Sequence, residues 1–130
     1  HKLGVGHAVR FIGGVSDTER DALFELCDLF LMPARQKGAD VEGFGLVFLE
    51  AALHGKPSIG GRSGGIPEAV IDGETGVLVN PESADEIADA AVQLLTDDTL
   101  RAKLGQQAKT RAQNEFTWDK QIQPLLRQFS

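Results

Sequence analysis

Most of what this 130-residue chain lacks can be stated before any motif is read. It has one cysteine, Cys27, so no internal disulfide can form, and a reducing compartment is the natural setting. No apolar run approaches the roughly 18–20 residues of a spanning helix, and no signal-peptide pattern opens the chain. Basic residues number 13 against 19 acidic ones, giving a net charge of −6. No basic run stands out, which argues against nucleic acid or an anionic membrane as partner. No His/Cys/Asp spacing suits a metal. Glycines at the dinucleotide spacing and a Walker lysine are both missing, so NAD enzymes and P-loop NTPases fit poorly. The only methionine is Met32 and the first residue is His1; a piece of something longer is expected.

Glycine is what the chain has in excess: 15 of 130 residues, against a usual share of about 7%. Most fall before residue 77, among short apolar runs that alternate with helical patterns, the texture of βαβ units. Val9-Arg10-Phe11-Ile12 reads as a strand closed by Gly13-Gly14. Ser16-Asp17-Thr18-Glu19 is a capping box. The helix it opens repeats Ala22, Leu23, Leu26 and Cys27 at helical spacing. Asp28 to Met32 reads as a buried strand stopped by Pro33, followed by a polar loop from Ala34 to Gly43. A helix from about Gly45 to His54 ends on Gly55. Pro57-Ser58-Ile59 and Gly76 to Val79 are further strands, with a Gly60–Gly65 loop between them.

Beyond Pro81 the chain turns helical. Ser83 to Glu86 is a second capping box, opening an apolar stripe of Ala84, Ile87, Ala88, Ala91, Val92, Leu94 and Leu95. Asp97-Asp98 caps a helix in which Leu100, Leu104, Ala108 and Ala112 recur every fourth residue. Trp118 to Phe129 reads as a last amphipathic helix interrupted at Pro124. The expected architecture is α/β: a Rossmann-like parallel sheet flanked by helices over residues 1–80, with a helical segment over 81–130, in one domain. Ligands of such sheets sit at the carboxyl ends of the strands. The loops at Gly13-Gly14, Pro33–Gly45 and Gly60–Gly65 are expected on that edge.

The most informative stretch is Glu42-Gly43-Phe44-Gly45-Leu46-Val47-Phe48-Leu49-Glu50-Ala51. A loop with two glycines runs into a helix start, where the N–H groups of Phe44, Gly45 and Leu46 would be unpaired at the positive end of the dipole. That is a ready anion site. Eight residues at 100° each return Glu50 to within about 80° of the Glu42 direction, so one ligand could meet both carboxylates. Glu42 alone could be a helix-cap acid and Glu50 alone a surface residue. Yet Glu50 is flanked by Leu49, Ala51, Ala52 and Leu53, where a carboxylate needs a partner. The pair together with the glycines favours a ligand. Gly60 to Gly65 ahead of Pro67-Glu68 could be a second phosphate-facing loop or only a tight turn. Cys27 reads as core rather than nucleophile, and His54 as a cation at a helix C-terminus.

The runs Glu42-Gly43-Phe44-Gly45 through Leu49-Glu50-Ala51, Gly55-Lys56-Pro57, Ser63-Gly64-Gly65-Ile66-Pro67-Glu68 and Asp72-Gly73-Glu74-Thr75-Gly76 resemble the C-terminal half of retaining glycosyltransferases of family 4, with the GT-B fold. The likeness extends from Val9-Arg10-Phe11-Ile12-Gly13 to Phe116-Thr117-Trp118-Asp119. It implies binding of a nucleotide-diphosphate sugar and transfer of a hexose to an acceptor hydroxyl with retention. Glu42 would meet hydroxyls of the transferred sugar, acting as the catalytic residue, and Glu50 would hold the ribose. Gly43 and the N–H groups of Phe44, Gly45 and Leu46 would contact sugar and diphosphate. The Gly13-Gly14-Val15 turn would lie beside the base.

The resemblance further implies no cofactor and no essential metal. Acceptor binding, whether of a sugar, a lipid or a small molecule, would fall to an N-terminal domain. The setting would be cytoplasmic, peripheral at the inner membrane face for a lipid acceptor. The family's diphosphate-clamping arginine and lysine have no counterpart in these residues, so the piece alone should be a poor catalyst. Two other readings remain at this point. One is a glycoside hydrolase using Glu42 and Glu50 across a cleft. The other is a nucleotide-sugar-binding or assembly module that docks on a separate N-terminal partner.

Overall fold

A computed structural model describes residues 2–35, 45–117, 120 and 127. Capping and glycine stops divide these residues as the sequence expects, except that the Ser83–Glu86 box is half made, the Glu86 carboxylate accepting from the Asn80 N–H instead of the Ser83 N–H. Helix α1, Asp17–Leu26, opens on a complete capping box: the Ser16 hydroxyl accepts from the Glu19 N–H, and the Glu19 carboxylate accepts from the Ser16 N–H. Strand β1 is Phe30–Met32 and helix α2 Leu46–Leu53. The latter stops at His54 and Gly55, whose φ of +71° suits glycine. Strand β2, Ser58–Gly61, leads to the single turn α3, Ile66–Ala69, and on to β3, Gly76–Val79. Helix α4, Ala84–Thr96, is capped by Ser83, and α5, Asp98–Glu115, by Asp97.

The three strands form a parallel sheet in the order β1-β2-β3, with Leu31, Ile59 and Val77 in register across it. Helices cover both faces, as parallel strands require. On one face Phe48 of α2 and Ile66 and Ala69 of α3 pack with Val70 and Leu78, joined by Phe30 and Met32. On the other, Ile59 and Val79 meet Ala90 and Leu94 of α4 and Leu104 of α5. Helix α5 then crosses to α2, where Ala108 and Ala112 lie against Ala52. The approach is close: a Cβ on Gly105 would stand 2.1 Å from the Gly55 carbonyl oxygen.

Four expectations change here. Val9 is extended, but residues 9–12 pair with no strand among the described residues, and Phe11 is 95% exposed. Apolar alternation is local, whereas a strand needs a ladder partner. On α1 the buried residue is Phe24, and of the expected stripe of Ala22, Leu23, Leu26 and Cys27 only Cys27 turns inward; Leu26 is 83% exposed. The packed face runs through Arg20, Phe24 and Cys27 instead. The α4 stripe keeps Ile87, Ala91 and Leu94, gains Ala90, and loses Ala84, Ala88, Val92 and Leu95, which are exposed. Finally, Gly60 and Gly61 belong to β2 rather than to a loop. A Cβ on Gly61 would meet the Ala34 carbonyl oxygen at 2.4 Å, and one on Gly60 would meet Ile66 at 2.7 Å. These glycines let neighbours close onto the strand, and the expected loop shortens to Arg62–Gly65. The expected Trp118–Phe129 helix lies outside the described residues, apart from isolated positions.

Candidate functional site

Strand direction decides where the helix starts gather. Helices α2, α3 and α4 each follow a strand, so their N-termini open on the carboxyl edge of the sheet. Helix α1 precedes β1 and runs alongside α2 in the same direction: Arg20 stands near Glu50, and Glu25 near His54. The Gly13-Gly14-Val15 turn, which feeds α1, therefore reaches that edge too. Gly13 has φ +74°, and Gly14 and Val15 are exposed.

The start of α2 is the distinctive feature of this edge. Gly45 adopts a left-handed conformation, φ +71° and ψ +60°. A Cβ there would also strike the Phe48 ring at 2.7 Å, so both backbone and packing demand glycine. The Phe48 N–H bonds back to the Gly45 carbonyl at 3.0 Å. That leaves the Leu46 and Val47 N–H groups with no carbonyl in the helix to reach. Among the described residues no side chain caps this end, and its first turn carries no acid. Uncapped donors at a helix start favour an anion. By contrast, α3 is one turn long and already has Pro67 and Glu68 at its start.

Glu50 lies one turn beyond Leu46 on the same face of α2. Its side chain is 38% exposed, and its Oε1 stands 3.5 Å from Nη1 of Arg20. The partner that its apolar flanks demand is thus supplied by α1. Sequence reasoning missed Arg20, because 30 positions separate it from Glu50; the signal was a cation in the first turns of a capped helix. Glu42, Gly43 and Phe44, singled out above, lie outside the described residues. Of the other candidates, Gly45, Leu46 and Glu50 come together on α2, while Gly13, Gly14 and Val15 precede α1.

At the other end of the same seam, where α1 and α2 both finish, His54 stacks on Phe24 with centroids 5.5 Å apart, and its Nδ1 is 2.6 Å from Glu25 Oε1. That hydrogen bond holds the Glu25 carboxyl below its ordinary value. His54 is therefore a structural tie, in keeping with its place at the end of a helix. Burial pushes the Cys27 thiol up, and its Sγ donates to the Phe24 carbonyl, which fits a packing role. Among the described residues no cluster of three or more His, Cys, Asp or Glu could hold a metal ion, and no helix is long and apolar enough to cross a membrane.

Residues 1–111 match the family model of glycosyl transferases group 1. The chain belongs to that family. It is 43% identical over 121 residues to a GDP-mannose-dependent alpha-(1-6)-phosphatidylinositol monomannoside mannosyltransferase of Mycobacterium tuberculosis, covering 92% of this chain and 31% of the relative. A D-inositol 3-phosphate glycosyltransferase of Corynebacterium aurimucosum is 40% identical, with 90% and 26% covered. Among solved structures, sucrose-phosphate synthase from Thermosynechococcus elongatus superposes with a TM-score of 0.84 at 29% identity, covering 98% of this chain and 32% of that one. Anabaena HepE, solved with UDP, gives 0.86 at 28% identity, with 98% and 34% covered. The fold is that of the GT-B glycosyltransferases, and the chain spans about a quarter to a third of the length of these relatives.

Proposed function

We propose that this chain is the donor-binding portion of a retaining glycosyltransferase of family 4, one that transfers a hexose from a nucleotide-diphosphate sugar to an acceptor hydroxyl. The observation that carries the reading is the start of α2. A left-handed glycine opens it, no side chain among the described residues caps it, and Glu50 lies one turn along on the same face. In this reading the Leu46 and Val47 N–H groups take the diphosphate, joined by the loop residues Gly43 and Phe44. The Glu50 carboxylate accepts from the ribose hydroxyls, Glu42 meets the transferred sugar, and Gly13-Gly14-Val15 borders the base.

The chemistry follows from charge. The carbon–oxygen bond to the diphosphate breaks as the acceptor hydroxyl attacks from the same side, and a diphosphate oxygen takes the hydroxyl proton. Negative charge grows on the leaving diphosphate, where the helix dipole and fixed N–H donors stabilise it most. That stabilisation makes a metal unnecessary. GDP-mannose is the donor to try first, because the name of the 43%-identical relative carries it. Inositol-containing acceptors come first for the same reason, engaged by residues outside this chain.

Family membership favours this reading over a hydrolase or an assembly module. In the protein that carries this chain, donor turnover should require an acceptor, and Glu50→Gln should raise the donor KM roughly tenfold or more. Donor cleavage at full rate in water alone would support the hydrolase instead.

A further inference from the structure

We propose that Arg20 is a positioning residue for the nucleotide site: it fixes the Glu50 carboxylate so that the free oxygen faces the ribose. The inference rests on the donor-site reading of Glu50. Its own basis is the seam between α1 and α2. Arg20 Nη1 lies 3.5 Å from Glu50 Oε1 and 3.3 Å from Asp17 Oδ1, while Nη2 lies 3.5 Å from Asp21 Oδ1. Nε is buried without a partner, so the base of the guanidinium is enclosed while its tip spans carboxylates of two helices. The stem lines the same apolar groove as Leu23, Phe24 and Val47.

Nothing on α2 could do this work. The neighbours of Glu50 at helical spacing are Leu46, Val47, Leu53 and His54, and His54 is taken up by Phe24 and Glu25. Among the described residues, Arg20 is the only ionic partner of Glu50. It is also well placed to be rigid, since Ser16 and Glu19 pin the turn from which it projects. A carboxylate that must accept from two vicinal hydroxyls needs its plane set. The guanidinium charge 3.5 Å from Oε1 holds that oxygen toward α1 and leaves Oε2 open. Because α1 follows directly on the Gly13-Gly14-Val15 turn, Arg20 also links the base side of the site to its ribose side.

The test compares GDP with 2′,3′-dideoxy-GDP by calorimetry, in the protein that carries this chain; UDP and its dideoxy form are the pair if uridine binds better. Wild type should favour the ribose form roughly tenfold or more, the usual yield of hydrogen bonds to a charged acceptor. Glu50→Gln should remove most of that preference. Arg20→Ala should cut it to about threefold or less, and Arg20→Lys should restore part of it. Arg20→Gln stands in if the alanine variant does not fold. His54→Ala, which breaks the tie at the other end of the seam, should leave the preference intact. If Arg20→Ala weakens both ligands equally, its role is structural and the inference falls while the donor reading stands. If Glu50→Gln keeps the wild-type preference, or neither nucleotide binds, the ribose reading falls and takes the inference with it.

Discussion

On the α4–α5 side of the sheet, Leu94 and Leu104 close on Ile59 and Val79 with almost no exposure, and Gly105 lies against the Gly55 backbone. On the β1 side, α1 is held by one buried aromatic, Phe24, and by a row of charges facing α2. Apolar close packing resists change and is indifferent to ions, whereas exposed charge pairs are individually weak and screened by salt. Of the residues assigned to the donor site, Gly45, Leu46 and Glu50 lie at the start of α2 and along the charged seam. Close packing and the proposed donor site thus fall on different parts of one small sheet.

Breaking the packed side should cost most. Leu104→Ala should lower stability by about 2–5 kcal/mol in urea denaturation, whereas Leu26→Ala on the exposed face of α1 should stay within about 0.5 kcal/mol. Equal losses would erase the distinction. Gly105→Ala should cost about 1–3 kcal/mol, because the Gly55 carbonyl must move to admit a methyl group. Ser16→Ala should cost about 0.5–2 kcal/mol, and hydrogen exchange should place that loss in α1 while α5 stays protected. The smallest effect is expected in acid. Hydrogen bonds from Ser16 lower the Glu19 carboxyl, and the bond with His54 lowers that of Glu25, both from an ordinary value of 4.5. Such groups stabilise the fold fully above that value, and the contribution is lost as pH falls through the lowered one. Melting temperature should therefore decline below about pH 4.5, and less steeply in a Glu19→Gln variant.

What could be read from the sequence was mostly local. Ser16 with Glu19, Asp97 with Leu100, and Gly55 as a helix stop depend on residues a few positions apart, and each is found in place. The order of strands and helices followed from these stops. The failures share a cause: they turn on partners distant in sequence. The Val9–Ile12 segment has no described strand beside it, and Ala22, Leu23 and Leu26 point away from the residues that bury Phe24. Gly60 and Gly61 are packing glycines because Ile66 and the Ala34 carbonyl approach them. For the site, Glu50 and the glycine start of α2 were legible because helix spacing and dipole are properties of the segment itself. Arg20 was not, since only the fold brings α1 and α2 side by side.

The central claim is that the start of α2 receives the diphosphate of a nucleotide sugar. The most direct measurement follows the backbone amide resonances of the isotopically labelled chain as GDP, and then UDP, is added. The largest shifts should fall on Gly45, Leu46 and Val47, and Glu50→Gln should weaken the titration. Binding that leaves those amides unmoved and shifts α4 and α5 instead would contradict that claim.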